Sequence, residues 1–300
     1  MRSTPDVVVV GSANLDTTLR VPRVPVAGET LLATGSSSTP GGKGANQAVA
    51  AAVAGARVRF VGAVGQDRAG EVIKSILQQH GVDLSSLQLL GTAPTGTATV
   101  VVDDDGENLI VVDPGANAGL APQHVHAALD GLEVPVLLCQ LEVPLDTVRA
   151  AATHQAARCV VLNPAPMGSA EALAEVLPLV DVLVPNQSEL AQLTGGGPAP
   201  ITLEEVGDRV SRLTYAGAVV VTLGAQGAAV FPAAGAPPTH VPAPTVDAID
   251  TSGAGDVFCG VLAHGLSQGE ELEEATRRAV VLAARSTTFR GAQMPLAGRS

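Results

Sequence analysis

The chain has 300 residues, which at about 150 per domain allows one large domain or two small ones. Hydrophobic residues make up 46% of it and charged residues 15%, ample for a large core and incompatible with an intrinsically disordered chain. A net charge of −12 without any basic run, with no Trp, one Tyr and four Phe, excludes nucleic acid and anionic membrane as partners, because both need clustered cations or aromatic platforms.

Only a short Val7-Val8-Val9-Val10 run precedes Gly11, less than the roughly seven apolar residues of a secretory leader. No stretch reaches the roughly 18 apolar residues of a membrane span. Cys139, Cys159 and Cys259 show no CxxC or Cys/His spacing, which predicts reduced core cysteines and a cytoplasmic protein.

In chain order, continuous β-branched runs at 7–11, 58–64, 136–141, 159–162, 182–185 and 218–223 read as strands buried on both faces. Helical composition fills 45–54, 67–80, 145–155, 170–177, 187–194 and 203–213, and two more helices, 254–266 and 270–284, close the chain. This β-α succession predicts an α/β fold with a doubly wound, mostly parallel sheet flanked by helices. Segments 15–35 and 97–112 break the rhythm with short strands, and Asp105-Gly106 is a hairpin signal. They predict either a small β lid over a crevice or ordinary edge hairpins. The domain division expected is 1–14, 36–96 and 113–300 for the α/β body, with 15–35 and 97–112 as the inserted lid. The segment 233–244 reads as a Pro/Ala-rich loop.

Five groups of residues are suited to chemistry. Gly41-Gly42-Lys43-Gly44-Ala45-Asn46 runs into a helix, where glycine lets backbone approach a ligand and the helix N-terminus offers donors. It lacks the spacing and the Ser/Thr of a Walker A loop, and a structural turn is the alternative. Asp250-Thr251-Ser252-Gly253-Ala254-Gly255-Asp256 also enters a helix, so Gly253, Ala254 and Gly255 could form an anion hole with Asp256 in the first turn. Phe258 excludes a dinucleotide fingerprint, and a plain acidic helix start is the alternative for Asp256. Asn186 and Glu189, three apart after a strand, suit a metal–phosphate cluster or a capping box. Thr222, Gly224 and Gly227 suit phosphate or base contact, or a turn. Asn14, Asp16 and Glu142 follow strands and suit sugar hydroxyls, since carboxylates and amides bridge more than one.

Together these groups occur in the order and spacing of the ribokinase-like, phosphofructokinase-B type carbohydrate kinases, which the chain resembles from Val7 to Gln293. Val112-Asp113-Pro114-Gly115-Ala116-Asn117 and Leu162-Asn163-Pro164-Ala165-Pro166 resemble further segments of that family. The resemblance implies ATP-dependent phosphorylation of D-ribose at its 5-hydroxyl, giving D-ribose 5-phosphate and ADP. It makes Asp256 the general base and gives the anion hole to Gly253, Ala254 and Gly255. Asn14, Asp16, Gly42, Lys43, Asn46, Glu142 and Asp256 would meet the sugar; Asn186, Thr222, Gly224, Gly227 and Gly255 would meet the nucleotide. Glu189 would organise Mg2+ through water. A potassium site would draw on Asp250, Ser252, Ser286, Phe289 and Gly291, and the lid would pair two subunits into a homodimer. The rivals are a kinase for deoxyribose, a ketohexose or a nucleoside, and a non-catalytic sugar-binding protein. One departure lies at the C-terminal end, where Met294-Pro295 stands in place of the family's usual Pro-Ser-like ending and the chain stops at Ser300 instead of continuing through a final helix.

Overall fold

The first strand explains why its sequence is a run rather than an alternation. β1 (Val7–Val10) is wholly buried, with Val7 and Val9 in the core on one face of a sheet and Val8 and Val10 in the core on the other. A strand covered on both sides has no solvent face to pattern. The structure, a computed structural model, describes residues 4–233 and 235–293.

After β1 the chain runs through β2 (Asn14–Arg20), β3 (Gly35–Gly41), α1 (Lys43–Val53), β4 (Val58–Gly65), α2 (Arg68–Gln79) and β5 (Asp83–Leu90). It continues through β6 (Thr97–Val102), β7 (Asn108–Asp113), α3 (Pro122–Leu129), β8 (Val134–Cys139), α4 (Leu145–Ala152) and β9 (Ala157–Leu162). The second half holds α5 (Ala170–Leu173), β10 (Val182–Leu183), α6 (Gln187–Leu193), α7 (Leu203–Val210) and β11 (Ala218–Thr222). The remaining elements are β12 (Ala228–Phe231), β13 (Thr239–Val241), α8 (Ala254–Ser267) and α9 (Leu272–Ser286).

Nine strands form the main sheet in the order β13-β12-β11-β10-β9-β8-β1-β4-β5. It is parallel except at β12 and β13, which return as antiparallel hairpins. From β1 the chain steps outward to β4 on one side and later to β8 on the other. Such a reversal opens a crevice at the carboxyl ends of the strands, where ligands of doubly wound sheets bind. Residues of α1, α8 and α9 pack on one face, and residues of α3, α4, α6 and α7 on the other. Among the described residues no helix is long and apolar enough to cross a membrane. All three cysteines are free, Cys139 and Cys259 buried and Cys159 partly so.

A second sheet of four strands, β3-β2-β6-β7, carries the lid segments. The sequence reading needs correction here: it assigned 36–41 to the α/β body, whereas Gly35–Gly41 is β3, paired along its length with β2. Gly-Ser-Ser-Ser-Thr-Pro-Gly has almost no β-branched or apolar residue, so the strand exists through its ladder to β2 and is invisible to local propensity. Asn14 likewise belongs to the lid sheet, opposite Gly41. The reading also missed β5, α3, β12 and β13, and the helix placed at 170–177 stops at Leu173.

Candidate active site

Asp256 sits in the first turn of α8, buried, where the chain enters through Gly253 in the left-handed region at φ 72°. A Cβ at Gly253 would stand 2.3 Å from the carbonyl oxygen of Ala292, so both dihedral and space demand glycine. The opening N–H groups of a helix lack intrahelical acceptors and point toward incoming anions. Ala254 spends its N–H on a long 3.3 Å bond to the Thr251 carbonyl.

The α1 start is held against Asp256. Gly42 caps it at φ 84°, and a Cβ there would meet Ala13 and Asn14 backbone at 2.8 Å. Asn46 Nδ2 donates to Asp256 Oδ2 at 3.1 Å, and Gln47 Nε2 donates to Oδ1 at 3.0 Å. Burial pushes the Asp256 carboxyl above its ordinary range, opposed by the Lys43 ammonium and the two amides, while Glu142 adds to the rise. Lys43 is itself mostly enclosed; although burial disfavours its charge, Asp256, Glu142 and Glu189 together raise its pKa. Glu142 accepts from the Lys43 backbone N–H at 2.9 Å and from the Ser12 hydroxyl.

Asn14 is oriented by Asn117, whose Nδ2 donates to Asn14 Oδ1 at 2.7 Å. Asp16 accepts from the Ala98 N–H at 3.0 Å. Burial, and then the Glu142 charge, push its pKa up to about 6 despite that bond. Asp16, Lys43, Asn46, Glu142 and Asp256 are thus joined by hydrogen bonds or mutual charge effects, and Asn14 lines a cavity of about 370 Å³ together with Glu142.

Asn186 and Glu189 form the capping box of α6. Asn186 donates from its backbone N and from Nδ2 to the Glu189 carboxylate at 2.8 and 2.9 Å, and its Oδ1 accepts from Glu189 N at 2.8 Å. They also line a polar cavity of about 230 Å³ with Lys43, Asp256 and Gly255. Burial raises the Glu189 pKa. Capping and cavity lining are therefore both true of this pair.

A larger cavity of about 460 Å³ adjoins the first, sharing Thr222 and Gly255. Gly224 and Gly227 line it, both at positive φ in the turn after β11. Asn186 faces the smaller polar cavity instead. Val246, Phe258, Val280 and Ala284 give the larger cavity an apolar wall. The sequence reading missed this wall, because apolar residues from three separate segments carry no local motif.

Asp250 Oδ1 accepts from Ser252 N and Oδ2 from Gly291 N, each at 2.9 Å. Against the cost of burial, those two N–H groups hold its carboxyl below the ordinary range. Ser286 turns its hydroxyl onto the Ala283 carbonyl, and the Phe289 side chain is exposed. Met294 and Pro295 lie outside the described residues. Sequence reasoning assigned no role to Ser12, Gln47, Asn117 and Gln140, although Asn117 stands in one of the segments that carry the resemblance; as buried polar residues in otherwise apolar stretches they carried a further signal.

The model for pfkB family carbohydrate kinases matches residues 4–297. The chain is 37% identical to a Haemophilus influenzae ribokinase, over 97% of this chain and 95% of that one. It is 35% identical to a Salmonella typhi deoxyribokinase, over 96% and 94% of the two. Among solved structures, an Arabidopsis thaliana ribokinase complexed with ribose and ATP superposes with a TM-score of 0.82 at 31% identity, covering 97% of this chain and 95% of that one.

Proposed function

Because this chain belongs to the pfkB family of carbohydrate kinases, we propose that it transfers the terminal phosphoryl group of ATP to the 5-hydroxyl of D-ribose, giving D-ribose 5-phosphate and ADP. The observation that carries the reading is the position of Asp256, at the positive end of α8 and lining the polar cavity that adjoins the apolar one at Thr222 and Gly255. The apolar cavity suits a nucleobase, with Thr222, Gly224 and Gly227 at its edge. The sugar lies among Asn14, Asp16, Gly42, Lys43, Asn46 and Glu142. The sugar hydroxyl gives its proton to the Asp256 carboxylate while its oxygen forms the bond to phosphorus, and the bond from phosphorus to the ADP oxygen breaks. The N–H groups of Gly253, Ala254 and Gly255 take up the charge on the transferring group, a reaction that depends on positioning and electrostatics more than on covalent help. Ala254 joins them by releasing its long bond to Thr251.

Among the described residues no group of three or more His, Cys, Asp or Glu side chains fits a bare metal ion. A divalent ion such as Mg2+ would arrive on the nucleotide phosphates with much of its water shell kept. When bound it neutralises phosphate charge. Glu189 keeps lone pairs beyond its bonds to Asn186 and would meet that shell through water. Asp250, Ser252 and carbonyls at Ser286, Phe289 and Gly291 would hold a monovalent cation, potassium in preference to sodium. The lid covers the sugar, excludes competing water and joins two subunits through β7.

An ADP-release assay over pentoses, hexoses and nucleosides tests the reading. D-ribose is expected to give the highest kcat/KM. Preference for deoxyribose or a nucleoside reassigns the substrate; sugar binding without any turnover makes the protein a binding module.

A further inference from the structure

Behind Asp256 lies a chain of buried amides that touches neither cavity at its central member. Gln47, on α1, is fully buried, as is Gln140 beyond β8, and Asn163 after β9 is nearly so. Their orientations follow from one fixed point. The Val184 carbonyl only accepts, so Asn163 presents Nδ2 to it at 3.0 Å and turns Oδ1 toward Gln47. Gln47 must therefore present Nε2, and its two N–H groups go to Asn163 Oδ1 at 3.2 Å and Asp256 Oδ1 at 3.0 Å. Its Oε1 then requires a donor, which Gln140 Nε2 supplies at 2.6 Å.

The remaining atom, Gln140 Oε1, is buried with no partner and lies against Gly11, where a Cβ would stand 2.0 Å away. An orphaned buried acceptor costs about 1–3 kcal/mol in general. The arrangement leaves that acceptor unpaired and holds one Gln47 N–H on the carboxylate, with its other N–H and its Oε1 both engaged. A merely space-filling role would be met by an apolar side chain without this cost.

We propose, resting on the kinase reading above, that Gln47 is a positioning residue: clamped between Gln140 and Asn163, its amide fixes the Asp256 carboxylate and favours its ionised, proton-accepting form. Gln47 acts only through Asp256, since it is sealed from both cavities. The charged and titratable groups facing Asp256 are Lys43 on α1, Glu142 after β8, Glu189 on α6 and Cys259 on α8. Glu142, Glu189 and an ionised Cys259 oppose its ionisation. Lys43, Asn46 and Gln47 favour it, and of the three Gln47 alone lies outside the residues assigned to the sugar.

The test follows the Asp256 carboxyl carbon by 13C NMR against pH, its signal assigned by absence in Asp256→Asn, alongside kcat and KM profiles for ribose and ATP. In Gln47→Met the carboxyl titration and the acid limb of kcat both move up by about one pH unit, the scale of one lost hydrogen bond to a charged group. Turnover falls about tenfold on the acid side, recovers to within about twofold at alkaline pH, and both KM values stay within about twofold. Gln47→Glu keeps the shape and the Gln140 bond, and moves both curves further in the same direction. An unmoved carboxyl titration in a folded variant overturns the proposal, as does a uniform loss of kcat at every pH. If neither variant folds, Gln47 serves the core and the proposal falls. If the wild type turns over no sugar while the titration still moves, the kinase reading fails and the positioning role of Gln47 stands.

Discussion

The Asp16 carboxylate on β2 accepts its 3.0 Å hydrogen bond from the backbone N–H of Ala98 on β6, 82 residues later. One lid strand thus orients the acid that another lid strand carries. Its pKa of about 6 lies above the ordinary 3.8, so the protonated form favours the empty fold and ionisation costs stability as pH rises from about 4 through 6. Sugar hydroxyls need the opposite, an ionised acceptor. KM for ribose should therefore rise as pH falls below about 6, with KM for ATP nearly flat. Asp16→Ala should raise KM for ribose about 10–100-fold, from roughly 1.5–3 kcal/mol of lost charge-assisted bonding. Asp16→Asn should raise Tm by about 2–4 °C at pH 8, with the gain vanishing near pH 4. Equal effects on both substrates would make Asp16 structural.

Gly41 tests the same carboxylate by crowding it. A Cβ at Gly41 would stand 2.0 Å from Asp16 Oδ2. Gly41→Ala should displace the carboxylate and raise KM for ribose by about tenfold or more, with ATP binding by calorimetry unchanged. An unaltered KM would show that the sugar does not depend on this rotamer.

Asp256→Asn should leave sugar and ATP binding largely intact and lower kcat by about 100-fold or more, the usual scale for a positioned general base. The asparagine keeps an acceptor for Asn46 or Gln47 and cannot take the proton. Near-native turnover in single-turnover measurements would assign the base elsewhere.

Asp250 ties the loop before α8 to the segment after α9 through Ser252 and Gly291. Potassium should raise kcat more than sodium at matched ionic strength, because a carbonyl-lined site must replace a hydration shell of suitable size. Asp250→Ala should abolish the difference. Identical rates in the two salts for the wild type would leave Asp250 as a loop clasp only.

Leu109, Ile110, Val111 and Val112 on β7 are between 48% and 61% exposed, so successive side chains leave both faces of an edge strand apolar. Such an edge invites pairing with a second copy. Sedimentation velocity should find a dimer for the wild type and a monomer for Val111→Lys. A monomeric wild type would refute pairing through the lid.

The sequence by itself determined six of the nine main-sheet strands, the start of α8 at Ala254 and, to within two residues, that of α1. Two-sided burial demands unbroken valine runs such as β1 and β11, and the two Gly-rich entries leave a local mark. Glu189 was legible as a capping partner for the same reason, since its contact with Asn186 spans three residues. Tertiary structure decided the rest. β3 has no propensity of its own and exists because β2 lies beside it. The wall of the larger cavity is assembled from Val246, Phe258 and Val280, none remarkable alone. The amide clamp on Asp256 joins Gln47, Gln140 and Asn163, which stand 93 and 116 residues from Gln47 along the chain. Contacts at that separation depend on where the sheet places strand ends, and hydrogen-bond directions are set only when the last acceptor, the Val184 carbonyl, is in place.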